Sequence, residues 1–349
     1  MGSIFFLREA IKQGAHYIEC DVQVTKDLQL ICNHNPWLSK VTEDVSKNSE
    51  FTIRRKTKIV LYEDPYEDKY IEMNVTDWFV HDFMEEEIKN LRRIQPLKHR
   101  DPQYNYKEVF CSFQEYINIA REHNVGIYPE IKYPYFINSI LCSRGLNTTV
   151  EQLLVEALNK NGYTEVNSKC FIQSFEKKSL EMLNGRTNLK RIYLLWEDVQ
   201  QLSNLDSKHK GKKNMEMWNV ALNWAKKENI SGFGLDKNFI IAKTPNNYIS
   251  QIYHYMLQEA KEYGMMVHVY TFAHDEETFL WNYGKDPDKE YQSFSDIGVD
   301  GFFTDFPAIA RRSLEAQDLC INNVGTKPSP ADFLMFSTGL LLLDLTGHI

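Results

Sequence analysis

Long apolar runs are scarce in this 349-residue chain. The most apolar stretch, "FLMFSTGLLLLDLTGHI" near the end, is short and interrupted by Asp344, too little to span a bilayer, and no membrane partner is indicated. The small residues Ser329 to Ala331 ahead of it leave a glycolipid-anchor signal as one expectation beside a packed tail. The opening "MGSIFFLREAIKQGA" carries charge within its first dozen residues and has no long apolar core. It is expected to be a helix already under way rather than a secretory signal. An excess of positive charge is missing too. With 40 Lys and Arg against 48 Asp and Glu, the net charge is −8, which argues against a nucleic-acid partner, because phosphate backbones are held by clustered cations. The basic runs "IRRKTK" and "KHKGKK" are short and read as solvated loops.

The six cysteines include no C-x-x-C pair and no metal-ligand spacing, so they define no zinc site. Cys20 and Cys32 fall inside apolar extended runs and read as small buried hydrophobes, which leaves the redox compartment open. No G-x-G-x-x-G or P-loop follows any extended run, and no G-x-S-x-G occurs. The nucleotide-binding fingerprint and the serine-hydrolase elbow are both absent.

What the chain does have is regular alternation. A helix from Phe5 to Gln13 stops at Gly14, and "YIECDVQVTKD" follows as a strand with period-two patterning. Residues 37–108, rich in charge and aromatics, read as a long irregular insertion. Beyond it, helical segments alternate with the extended runs "VGIYPEIKYP", "SKCFIQSF", "LKRIYLLW", "ISGFGLD", "MMVHVYTF" and "GVDGFFTDFP". Helix and strand in strict turn, with short connections, predict parallel strands joined by crossover helices. Seven such strands, counting from Tyr17, come close to the eight of a (β/α)8 barrel. The expectation is therefore an α/β TIM-type barrel over residues 1–315 followed by a tail, 316–349.

Active groups of such barrels sit at the carboxyl ends of strands. Glu19 and Asp21 occupy one face of one strand, where like charges repel unless a cation lies between them. "IYPEIK" places Tyr128, Glu130 and Lys132 on one face of another. Three carboxylates predict a site for one divalent cation, Ca²⁺ or Mg²⁺. Lys132 beside it suits an anionic substrate such as a phosphate. His34, closing "LICNH", is a candidate general acid or base.

The stretches "QGAHYIECDVQVTKD", "HNPWLSKVTEDV", "NVGIYPEIKYPYF", "FIQSF", "VHVYTF" and "DGFFTDFP" together resemble the glycerophosphodiester phosphodiesterases, particularly the long bacterial periplasmic type, over about Ser3 to Ala310. The resemblance implies a TIM barrel with its metal on Glu19, Asp21 and Glu130, His34 as one of two catalytic histidines, and Lys132 on the phosphate. It also makes Gln173 of "FIQSF" and Tyr270 of "VHVYTF" substrate-binding residues. The implied reaction is hydrolysis of glycerophosphodiesters such as glycerophosphocholine to glycerol 3-phosphate and an alcohol. One departure stands out: the family's opening strand, with its His-Arg-Gly, and the following Pro-Glu segment have no counterpart, as if the chain were truncated at its N-terminus. Without that strand, the strands at Tyr17 and Phe302 are expected to present open edges. The alternative this leaves is a non-catalytic phosphodiester-binding barrel. His274, just after "HVYTF", is the candidate for the missing second histidine.

Overall fold

A computed structural model of the chain describes residues 3–64, 69–196, 207–240, 251–275, 286–321 and 334–337. Contacts divide the chain into two compact units, one that includes Met1–Glu9 and Ile18–Leu189, the other Ala10–Tyr17 and Lys190–Thr338.

In the first unit the alternating "YIECDVQV" forms strand β1, Tyr17–Val24. Thr25 turns the chain: its hydroxyl donates to Asp27 at 2.6 Å and accepts from the Gln29 amide at 3.0 Å. Strand β2, Leu30–Cys32, returns antiparallel with Cys32 opposite Val22. That register puts Cys32 on the face that Cys20 shares, and the two cysteines form a disulfide with Cα atoms 5.5 Å apart. The reading of both as free thiols is corrected by this register, which is a property of the hairpin and not of either cysteine's surroundings in sequence.

Residues 37–108 are less irregular than their composition suggests. Strands β3, Lys56–Glu63, and β4, Tyr70–Asp77, pair antiparallel from Lys56↔Asp77 to Glu63↔Tyr70. Leu38, Val41, Val45, Trp78, Val80, Phe83, Ile88 and Leu91 bury themselves around Ile31 and Phe110, giving the insertion its own core. Next comes the helix Phe113–Glu122, opened by a capping box in which Ser112 accepts from the Glu115 amide and the Glu115 carboxylate accepts from Ser112 N–H. Strand β5, Gly126–Ile131, lies beside β1, and β6, Phe171–Ser174, runs parallel to β5. Fully buried Tyr116 of that helix ties β1 to β5: its hydroxyl donates to Ile18 O at 2.6 Å and accepts from Tyr128 N–H at 2.8 Å. A further helix, Pro134–Ser143, replaces the end of the extended run read in "IKYP", because proline at a first helical position needs no hydrogen-bond partner for a missing N–H.

The second unit holds β7, Lys190–Leu195, β8, Gly232–Asp236, β9, Met266–Phe272, β10, Gly301–Thr304, and β11, Leu334–Ser337, each parallel to the next. All seven sequence-predicted strands thus form. "KHKGKK" lies in the helix Ser207–Lys227, not in a loop. The open edge expected at Phe302 does not occur, because β11 pairs along it with Phe302 opposite Met335. His16 N–H donates to Met335 O at 3.0 Å, which anchors this strand further. Residues 329–331, the proposed anchor site, lie outside the described residues. No helix among the described residues is long and apolar enough to cross a membrane.

Candidate active site

β1 carries two chemistries on its two faces. Ile18, Cys20, Val22 and Val24 are apolar and buried, while Glu19, Asp21 and Gln23 on the other face are buried as well. β5 brings Glu130 to the same place, and ligand atoms of Glu19, Asp21 and Glu130 lie within 4.8 Å of one another. Lys132, one residue past the end of β5 and 8 % exposed, stands 3.1 Å from Asp21 Oδ1 and 3.1 Å from Glu130 Oε1. Three carboxylates against one ammonium leave two negative charges in a desolvated pocket, the charge that a divalent cation cancels. Glu19 Oε1 is buried and accepts no hydrogen bond. An all-oxygen donor set with an unspent carboxylate oxygen fits a hard cation of the Ca²⁺ or Mg²⁺ kind.

The titration behaviour reflects the same crowding. Burial, with Asp21 and Glu130 close by, pushes Glu19 well above the usual carboxylate range. Glu130 is pushed up to about 7 by burial, against the pull of Lys132. Burial would raise Asp21 too, but Lys132 and His34 outweigh it and hold it below its ordinary value. For Lys132 burial works downward, yet Asp21, Glu130 and Glu19 hold it above the usual lysine value.

His34 follows β2 at the same end and is 7 % exposed. Gln23 Nε2 donates to His34 O at 3.1 Å, and His34 Nδ1 meets Asn35 Oδ1 at 2.8 Å. With Asn35 Oδ1 accepting, Nδ1 holds the proton and Nε2 presents its lone pair. Burial and the Lys132 ammonium lower His34 to about 4, so the ring is neutral near pH 7. Gln173 stands opposite Glu130 in the β5–β6 register, 2 % exposed, and its Oε1 accepts no hydrogen bond. The structure therefore brings Glu19, Asp21, Glu130, Lys132, His34 and Gln173 together within the first unit.

The remaining expected residues belong to the second unit. Tyr270, on β9, donates from its hydroxyl to Leu195 O at 2.7 Å. His274 Nε2 lies 3.5 Å from Glu290 Oε2, and Lys237 Nζ lies 2.9 Å from Glu290 Oε1, a buried polar cluster. Sequence reasoning missed Arg93. This insertion residue is 5 % exposed, with its guanidinium 4.3 Å from the Phe110 ring centre and Nη1 3.5 Å from Asn33 Oδ1. No local pattern in "LRRIQ" marks it.

The model of the glycerophosphoryl diester phosphodiesterase family matches residues 2–309. The glycerophosphodiester phosphodiesterase GDPD6 of Arabidopsis thaliana is 33 % identical over 308 residues, 85 % of this chain and 77 % of its own. A glycerophosphodiester phosphodiesterase of Haemophilus influenzae is 26 % identical over 316 residues, with 85 % and 81 % covered. Among solved structures, that of a Silicibacter pomeroyi protein named as a diesterase of this kind matches with a TM-score of 0.60 at 11 % identity, covering 91 % of this chain and 89 % of that one. An Oleispira antarctica phosphodiesterase, solved with its product sn-glycerol-3-phosphate, matches with a TM-score of 0.53 at 15 % identity, with 88 % of each chain covered. The likeness to these structures shows the fold class, α/β of the TIM-barrel kind.

Proposed function

The chain belongs to the glycerophosphodiester phosphodiesterase family, a family of phosphoric diester hydrolases, and from that premise we propose that it hydrolyses glycerophosphodiesters such as glycerophosphocholine with one divalent cation on Glu19, Asp21 and Glu130. The products would be glycerol 3-phosphate and the free alcohol. The observation that carries this reading is the buried triad with Lys132 against it. A divalent cation held by Glu19, Asp21 and Glu130 would supply Lewis-acid stabilisation of the charge on the phosphate.

The chain's own residues do the rest. Lys132 offers its ammonium to the phosphate oxygens, where developing charge is stabilised by a fixed, desolvated donor. His34, neutral and with Nε2 free to accept, takes a proton from the attacking water as its oxygen bonds to phosphorus and the P–O bond to the departing alcohol breaks, and the ring then returns that proton to the leaving alkoxide. Gln173 offers the substrate an amide with an unspent oxygen. The buried walls exclude water, so these groups act at low dielectric.

The test pairs chemistry with binding. Wild type should release glycerol 3-phosphate from glycerophosphocholine, lose that activity to a chelator and regain it with Ca²⁺ or Mg²⁺. Glu130→Gln should bind the cation more weakly by calorimetry. Equal metal affinity in the variant would sink the triad as the site. A folded wild type that cleaves no glycerophosphodiester with either cation would sink the activity.

A further inference from the structure

Arg93 is buried in a way that calls for a counter-charge. Its backbone is fixed on both sides, with Arg93 N–H donating to Glu108 O at 2.7 Å and Arg93 O accepting from Tyr106 N–H at 2.8 Å. The side chain is 5 % exposed and lies on the Phe110 ring. Among the described residues it makes one side-chain hydrogen bond, the 3.5 Å contact to Asn33, and no ion pair. A desolvated guanidinium with most of its five donors unspent is costly to bury unless an anion meets it. Its position says which anion. Asn33 N–H donates to Asp21 O at 2.9 Å, so Asn33 lies directly across the hairpin from Asp21, one residue before His34. Burial lowers the Arg93 pKa to about 10, and Asp21 is one of the charges that resists this lowering.

We infer that Arg93 is a second substrate-binding cation, carried by the insertion rather than by a strand, whose guanidinium engages the phosphodiester at the Asp21 side of the metal triad. The inference rests on the hydrolase reading above. Charge balance supports it. Three carboxylates, Lys132, Arg93 and a divalent cation together carry one positive charge, which a phosphodiester monoanion neutralises. Without Arg93 the loaded site would already be neutral, and an anionic substrate would enter with no net attraction. Arginine suits the role because its planar fork matches two phosphate oxygens.

The test exploits opposite signs. In the full chain, Arg93→Met and Arg93→Lys are titrated with Ca²⁺ alone, then with glycerol 3-phosphate in saturating Ca²⁺, and each is melted. Removing a cation beside a cation site should leave Ca²⁺ affinity equal or higher in Arg93→Met. Glycerol 3-phosphate affinity should drop about 10- to 100-fold, the span of a lost charge-assisted hydrogen bond. Arg93→Lys, which keeps the charge and loses the fork, should fall between. Unchanged phosphate affinity in both variants overturns the inference, as does a joint loss of both affinities in step with a lower melting temperature, which assigns Arg93 to packing on Phe110. If Arg93→Met fails to fold, Arg93→Lys decides alone by the same criteria. If wild type binds neither probe, the hydrolase reading falls and takes this inference with it; if wild type and variants bind both alike, only the inference is lost.

Discussion

Breaking the Cys20–Cys32 disulfide should loosen both the fold and the site. The bridge closes a loop of sequence separation 12. In the chain-entropy treatment, a loop of that length restricts the unfolded chain by about 3 kcal/mol. Domains are stable by only about 5–15 kcal/mol, so this is a large share. The melting shift depends on what unfolds together. With about 2.1 cal/mol/K of unfolding entropy per residue, a unit the size of Ile18–Leu189 loses about 8 °C, and the whole chain melting as one loses about 4 °C. Scanning calorimetry of oxidised wild type, reduced wild type and the double variant Cys20→Ala/Cys32→Ala measures the shift and also distinguishes the two modes of unfolding. Cys20 stands between Glu19 and Asp21, and Cys32 is two residues before His34, so divalent-cation affinity should fall with the bridge. An oxidised protein that yields no Cys20–Cys32 linked peptide by mass spectrometry, or that melts identically when reduced, refutes the reasoning.

Lys132→Met should weaken binding of glycerol 3-phosphate by about 1.5–3 kcal/mol, since a charge-assisted hydrogen bond is lost, while metal affinity is maintained. Calorimetry that finds product affinity intact leaves Lys132 as a plain salt-bridge partner of Asp21 and Glu130. Tyr116→Phe removes the hydroxyl that serves both Ile18 O and Tyr128 N–H. Two buried backbone groups are then unpaired, and urea unfolding should show a loss of about 2–4 kcal/mol; a change within 0.5 kcal/mol, roughly the surface-substitution range, counts against the tie between β1 and β5. His81 and His268 are each lowered to about 3, chiefly by burial, with Lys58 and Lys190 adding to it. The folded state favours their neutral rings, so this stability is complete above the unfolded value near 6.5 and is lost as pH falls. Each should cost about 2 kcal/mol between pH 7.5 and pH 5, and His268→Leu should flatten its share of the slope in denaturant titrations.

The parts of the fold legible in the sequence were those set by local period. "YIECDVQV" and "VGIYPEI" alternate cleanly, and apolar helices separate the strands, so strand order and class could be read directly. The β3–β4 hairpin escaped because both strands, "KTKIVLYE" and "YIEMNVTD", are largely exposed or half-buried along their length, and without a buried face there is little hydrophobic contrast to read. Pro134 falls at the end of the extended run read in "VGIYPEIKYP", whereas it is the first residue of a helix. β11 was beyond reach for a different reason. Its identity as a strand depends on β10 and His16, and His16 is 319 residues away from Met335.

The site divides along the same line. Glu19 and Asp21 were visible because an i, i+2 pair of acids on a strand is costly at short range, and Glu130 and Lys132 because they repeat that spacing. Arg93 meets Asn33 across 60 residues, and the disulfide follows from hairpin register, so neither leaves a local trace. β1 shows why the two kinds of information belong together. A strand with buried carboxylates on one face destabilises the protein that carries it. What holds it in place lies elsewhere on the same strand: the disulfide on its apolar face, and the Tyr116 hydroxyl on its backbone at Ile18. The proposed ligands can therefore be held close together, because the strand's position does not depend on their charges being satisfied first.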